Sequence, residues 1–389
     1  MSQKSFIKIE KITKPQLKWI PAIDGLRAVA IAAVMVHHAD AAAFEGWALG
    51  NVGVAVFFSI SGFLAYYVLR RDEEQLGQVD YNYFLLRRIL RIWPAYFAII
   101  TVAYLTDPDH RGITQLITFT TNWDMALFRP WSSLPHLWSI AVEEQFYVLA
   151  PFIYRAMRSK HRTSFCVAVL LLCNVLRVSY TFFQSHPSGN GGLYYMTYTY
   201  ADLFLVGAMV AQKFTDGWTP RLATQLACLA ASAIAFPIIT KLWASALFAP
   251  YPWFAPLSYA LPAPACVLLL VGVLPVRQTI FSWVLSLPLM RYVGRLSYSL
   301  YLVHLYVLYT FIALSNFLER GEVLQYYVAY FSICFAAAQV SYHGVEQWFL
   351  KLKNRNIQPN FIRYPWPAIL TWMLIISGII RLCFFTIRA

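Results

Sequence analysis

An acid, a guanidinium and an imidazole share one stripe of the first apolar stretch, IDGLRAVAIAAVMVHH at residues 23–38. Asp24 and Arg27 are three apart, and eleven residues, nearly a whole number of turns, separate Arg27 from His38. On a helix all three face one way, with about 16 Å of rise between Arg27 and His38. His37 falls off that stripe. An imidazole titrates near neutral pH and suits proton transfer, while a guanidinium holds phosphate or carboxylate. Ionisable groups within a membrane span are costly and point to function. The spacing predicts Arg27 near one membrane surface and His38 near mid-bilayer. The competing structural reading is a histidine satisfied by a neighbouring helix, with the arginine snorkelling to the interface.

Further polar groups recur inside apolar runs. In SSLPHLWSIAVEEQFYVLAP, His136, Ser139 and Glu143 lie at i, i+3 and i+7, with Glu144 beside them. Burying Glu143 calls for a histidine or arginine from another helix, and an ion pair with Arg27 is one way to supply it. In GRLSYSLYLVHLYVLY, Ser297, Tyr301 and His304 share a face, and His304 stands alone in mid-span. In LLRRILRIWPAY, Arg88 and Arg91 are i and i+3 beside Arg87, a fork suited to phosphate or an ordinary cytoplasmic anchor. Pro94 predicts a kink. Ser61-Gly62 interrupts NVGVAVFFSISGFL, where small residues let a helix or a ligand approach the backbone. Arg177 and Asp202 read as a structural pair. Glu346, in SYHGVEQWF, sits close enough to the KLKNR segment to lock that end electrostatically.

The elements that carry these groups are membrane helices. Of 389 residues, 59% are hydrophobic, 17% aromatic and only 13% charged, and the mean hydropathy is +0.53. Soluble domains carry about 25% charged residues. Windows of about twenty apolar residues fall near 22–41, 49–69, 84–105, 134–154, 164–184, 193–212, 222–243, 254–275, 297–317, 322–345 and 365–386. The expected fold is therefore all-α: a polytopic membrane bundle of about ten to eleven spans. A short re-entrant or interfacial helix is expected within 276–296. Alternate connections hold about 23 Lys and Arg against 6, a positive-inside bias that puts the N-terminus in the cytoplasm. The outer connections near 106–133 and 183–193 are short.

The net charge of +13 is spread among loops without an aromatic-interleaved patch, which argues against nucleic acid. The six cysteines have no CxxC or Cys/His ligand spacing, so neither a disulfide framework nor a metal site is expected. The first apolar run lacks a small-residue cleavage site and reads as a retained span. No internal repeat supports an inverted-repeat transporter, although buried His, Glu and Arg would also suit a proton-coupled one.

Taken in order, DGLRAVAIAAVMVHH, FFSISGFL, the RxxR pair with Pro94 and Tyr96, HLWSIAVEEQFY, ADLFLVGA, SYSLYLVH and Glu346 resemble the acyltransferase-3 family of integral membrane acyltransferases. The resemblance covers roughly residues 20–350. It implies a core of about ten helices that uses cytoplasmic acyl-CoA, usually acetyl-CoA, as co-substrate, with no bound cofactor. The acceptor would be a hydroxyl of a cell-envelope or extracellular carbohydrate, a lipid-linked glycan or a small hydrophobic metabolite.

By this resemblance His38 is the essential catalytic residue, with Arg27, Arg88 and Arg91 the family's arginines. Acyl transfer needs a base, a thioester pocket and oxyanion donors. His38 is the expected base or covalent acyl carrier, oriented by Glu143 or Asp24. Arg27, Arg88, Arg91, Asp24, Ser61, Ser139, Tyr301, His304 and Glu346 are the expected acyl-CoA or substrate contacts. Four segments are expected: a cytoplasmic tail at 1–20, the acyltransferase domain at 21–350, a basic loop at 351–364 and an additional span at 365–389. No fused esterase-like domain is expected, so acceptance outside falls to the bundle or to a separate extracytoplasmic transferase. The expected location is a multi-pass protein of the bacterial cytoplasmic membrane, in contact with membrane lipid.

Overall fold

A computed structural model describes residues 20–40, 44–106, 112–127, 134–183, 189–246, 254–274, 279–315, 323–354 and 369–376. The N-terminal tail and most of the basic loop lie outside the described residues. So does all of the last expected span except a helical stretch at 369–376.

The apolar windows fold as helices. In chain order these are α1 (Pro21–Ala39), α2 (Leu49–Leu76), α3 (Tyr81–Thr106), α4 (Ile113–Ile117), α5 (Thr121–Leu127), α6 (Trp138–Met157), α7 (Arg162–Phe183), α8 (Ala201–Thr215), α9 (Leu222–Ala246), α10 (Phe254–Ala260), α11 (Pro262–Val273), α12 (Ile280–Leu285), α13 (Pro288–Ser315), α14 (Val323–Ser341) and α15 (Gln347–Asn354). The described residues contain no β-strand. Among the described residues six helical stretches are long and apolar enough to cross a membrane, with α10 and α11 together, Phe254–Val273, counting as one. The protein is an all-α polytopic bundle, as its hydropathy pattern predicts.

Several expected spans are broken in ways periodicity does not show. The window at 193–212 opens with 3-10 turns, Gly189–Tyr195 and Thr197–Thr199, and only then becomes α8. The window at 254–275 divides into α10 and α11, with Pro262 starting the second helix, where a missing N–H costs nothing. The short helix expected within 276–296 is α12, begun by a reciprocal capping box between Thr279 and Ser282.

Glycines set the two closest helix pairs. A Cβ on Gly294 of α13 would lie 1.8 Å from the Asp24 carbonyl oxygen of α1. One on Gly62 of α2 would lie 2.0 Å from the Phe204 carbonyl oxygen of α8, and one on Gly207 would lie 1.9 Å from that of Ser59. Backbone approach this close is what small residues permit between membrane helices. Asp24 meets Gly294 near the start of both helices and His38 meets His304 further along, so α1 and α13 run parallel. That agrees with both being outward-going spans.

Charged residues close the opposite end of the bundle from His38. Arg70 pairs with Glu73 at 3.2 Å and Glu74 at 2.9 Å, and the Tyr154 hydroxyl donates to Glu73 at 2.7 Å. Arg158 also reaches Glu73, at 3.5 Å. A buried pair joins the ends of α2 and α3, where Arg87 donates to Asp72 at 3.1 Å. Within the bundle, fully buried Arg177 pairs with Asp202 at 2.7 Å, the structural pair expected of two opposite charges in neighbouring spans. Cys166, Cys173, Cys228, Cys266 and Cys334 are free, and Cys383 lies outside the described residues.

Candidate functional site

A cavity, part of it open to solvent, lies between α1, α2, α3, α6 and α13. Arg27, Ser61, Arg88, Arg91, Ser139, Glu143 and Tyr301 all line it, so seven of the expected site residues from five helices share one space. Apart from Ser297, its remaining walls are apolar and aromatic, including Val54, Phe57, Phe58, Leu64 and Tyr298. The three helices that run its length keep a common register. Leu64, Tyr147 and Ser297 lie toward the basic end, and Val54, Ser139 and Tyr301 lie toward the opposite end. From residue 64 to residue 54 along α2 is about 15 Å.

The basic end offers guanidiniums that can hold an anion. Arg27, nearly two turns into α1, is in the electrostatic reach of Asp24, Glu143 and Arg91. Arg88 stacks over Tyr147 at 4.7 Å and Phe84 at 5.3 Å, which holds its guanidinium in the wall. Arg87, the third arginine of the run, is turned away into its pair with Asp72. Arg88 and Arg91 thus line the cavity, while Arg87 closes an ion pair away from it. Tyr298 donates to the Ile92 carbonyl at 2.7 Å and pins α13 to α3 beside Pro94.

Glu143 faces the cavity, where Oε1 accepts from Ser61 and from Tyr147, each at 2.5 Å. Glu144 points the other way and accepts from the Trp93 indole at 3.1 Å. The Ser297 hydroxyl borders the cavity, buried and without a hydrogen-bond partner among the described residues. A buried polar group without a protein partner is a ready contact for a polar ligand.

Beyond the other end of the cavity stand three imidazoles. His38 Nδ1 lies 3.1 Å from His304 Nε2, and His304 Nδ1 lies 2.7 Å from the Tyr301 carbonyl oxygen. The His304 ring is 4.9 Å from that of His136, whose Nε2 reaches the Leu302 carbonyl at 3.2 Å. A carbonyl can only accept, so His304 Nδ1 carries a proton. In the neutral pair His304 Nε2 is then the acceptor and His38 Nδ1 the donor. That leaves the lone pair of His38 on Nε2.

The structure differs here from what spacing suggested. His38 stands in the last turn of α1. Its partner is His304, not Glu143 or Asp24: Glu143 is engaged across the cavity, and Asp24 is fourteen residues back along α1, about 21 Å away. His304 is correspondingly not a lone imidazole. Neither histidine lines the cavity, and neither do Asp24 and Glu346. Asp24 packs its backbone on Gly294. Glu346 sits in a π-helical turn, Tyr342–Glu346, where Ser299 of α13 donates to it and Arg91 and Arg27 are its electrostatic neighbours. It therefore braces the arginine end from behind, while most of the charged side chains of the KLKNR segment lie outside the described residues. Tyr147 was missed as a site residue, although its position four after Glu143 placed it on the same face.

Comparison with known proteins agrees with this architecture. A family model described as an acyltransferase domain matches residues 20–343, most of the chain. The chain belongs to the acyltransferase-3 family. Every residue of the cavity and all three imidazoles fall inside the matched acyltransferase domain. Similar curated proteins are O-acetyltransferase OatA of Staphylococcus aureus (strain NCTC 8325 / PS 47), 25% identical over 373 residues, covering 89% of this chain and 59% of that protein. SACOL0978 of Staphylococcus aureus (strain COL), provisionally named an O-acetyltransferase, is 25% identical over 389 residues, covering 92% of this chain and 61% of its own length. The chain thus spans about three fifths of the length of these relatives. No solved structure matches it.

Proposed function

We propose that this acyltransferase-3 protein is an integral membrane O-acyltransferase. It moves an acyl group, acetyl in the simplest case, from cytoplasmic acyl-CoA to a hydroxyl of a cell-envelope or extracellular carbohydrate. The observation that carries this reading is the cavity itself, with three guanidiniums at one end and a hydrogen-bonded imidazole pair beyond the other. Arg27, Arg88 and Arg91 offer planar cationic forks to the coenzyme's phosphates. From Arg27 to His38 is about 16 Å along α1, a gap that an extended pantetheine arm bridges. The bacterial cytoplasmic membrane, with the N-terminus inside, is the location that suits such a donor.

In this mechanism the acceptor hydroxyl gives its proton to His38 Nε2 as its oxygen adds to the thioester carbonyl. His304 holds the imidazole in the tautomer that makes Nε2 the base and accepts from Nδ1 as His38 becomes cationic. The tetrahedral intermediate then collapses, the C–S bond breaks, and the departing sulfur takes the proton from His38 Nε2. The products are the acyl ester and free coenzyme A.

The test uses purified protein in lipid nanodiscs. Acetyl-CoA and coenzyme A should raise the thermal unfolding midpoint, and His38→Ala should keep that shift while losing acetyl transfer to envelope glycan. A proton-coupled transporter predicts no stabilisation by coenzyme A, so its absence would remove the acyltransferase reading.

A further inference from the structure

The cavity ends before it reaches the imidazoles. Its far end is walled by Val54 and Phe57 of α2, Ser139 of α6 and Tyr301 of α13. The Tyr301 ring is the layer between: it packs 6.3 Å from Phe57 on the cavity side and 5.4 Å from both His136 and His304 on the other. Its hydroxyl is tied down by Ser139 at 2.6 Å and by donation to the His136 carbonyl at 2.9 Å. Tyr301 is buried, and so is Ser139, so the partition is part of the packed core and not a loose side chain.

We propose that Phe57 and Tyr301 determine the acyl-chain length the protein accepts, by limiting the space between the donor cavity and His38 to a short acyl group. The inference rests on the donor reading above. With phosphates held at Arg27, Arg88 and Arg91, the thioester arrives at this end of the cavity. The acyl group then extends toward the imidazoles, past the tyrosine ring. A two-carbon group needs little more than a tilt of the phenol, whereas each added methylene meets Phe57 or the hydrogen-bonded ring. A misfit of one methylene in an apolar pocket is worth roughly 10- to 200-fold in kcat/KM.

The experiment measures coenzyme A release with acetyl-, butyryl- and hexanoyl-CoA, on the full chain in nanodiscs, for the native protein, Phe57→Ala and Tyr301→Phe. Native protein should favour acetyl over butyryl by at least about tenfold. Phe57→Ala, which opens the partition from the cavity side, should reduce that preference by about tenfold or more. Tyr301→Phe frees the ring from both hydrogen bonds and should shift the preference the same way by a smaller factor. Thermal stabilisation by coenzyme A alone reports the arginine end and should be the same in all three proteins. If Phe57→Ala does not fold, Phe57→Leu carries the comparison. An unchanged chain-length profile in folded variants that still bind coenzyme A overturns this inference and leaves the donor reading standing. A native protein that prefers hexanoyl-CoA overturns it as well. Failure of the native protein to bind coenzyme A removes both.

Discussion

Replacing His304 tests the tautomer argument directly. His304 Nε2 is 3.1 Å from His38 Nδ1, and His304 is itself fixed by the Tyr301 carbonyl at 2.7 Å. Removing it takes away the acceptor that holds the proton on His38 Nδ1 and that stabilises the imidazolium formed during transfer. A hydrogen bond to a charged group contributes about 1.5–3 kcal/mol, so His304→Ala should lower kcat roughly 10- to 150-fold. The upper bound is the whole contribution of a general base, about 10²–10⁴, which His38→Ala should lose. Because His304 acts only through His38, the double variant should be no slower than His38→Ala alone. KM for acetyl-CoA should hold, since neither imidazole lines the cavity. His304→Gln, whose amide oxygen accepts from Nδ1–H, should recover part of the loss. The assay is coenzyme A release in nanodiscs, with thermal unfolding as the folding control. Multiplicative losses in the double variant, or a His304→Ala enzyme as fast as the native one, would refute the reasoning.

The adjacent arginines should separate cleanly. Arg88→Ala should raise KM for acetyl-CoA about tenfold or more at little cost in stability. Arg87→Ala strands buried Asp72 and should lower stability by about 3–5 kcal/mol in detergent unfolding. Arg177→Met should cost a similar ~3–5 kcal/mol by leaving Asp202 unpaired, and adding Asp202→Leu should restore most of it. Gly294→Ala puts a methyl where Asp24 of α1 already has its carbonyl oxygen, at 1.8 Å. It should destabilise by about 1–3 kcal/mol, read as a lower unfolding midpoint, and slow transfer by spreading the two helices that carry His38 and His304.

The helices and their polar stripes were legible because both follow from distances within one helix. Twenty apolar residues make a span wherever they occur. A period of 3.6 puts Asp24 and Arg27 on one face, and Ser139 with Glu143 on another, without knowledge of any neighbour. Breaks within spans were harder to see. Leu193 and Thr197 are as compatible with a helix as with the 3-10 turns they adopt, and the choice follows from packing against α5 and α7.

The sequence alone determined that this is a polytopic helical membrane protein and which side chains are too costly to bury without purpose. Tertiary structure decided which of them meet. His38 and His304 are 266 residues apart, and their contact depends on α1 and α13 lying parallel and close enough that Gly294 has no room for a methyl. Glu143 could have answered His38 by spacing alone, and it accepts instead from Ser61 and Tyr147, within the electrostatic reach of Arg27. Arg87 and Arg88 are neighbours in the chain, yet one closes an ion pair and the other opens onto the cavity. A helix dictates the direction of each side chain, but only the packing of one helix on another supplies the partner.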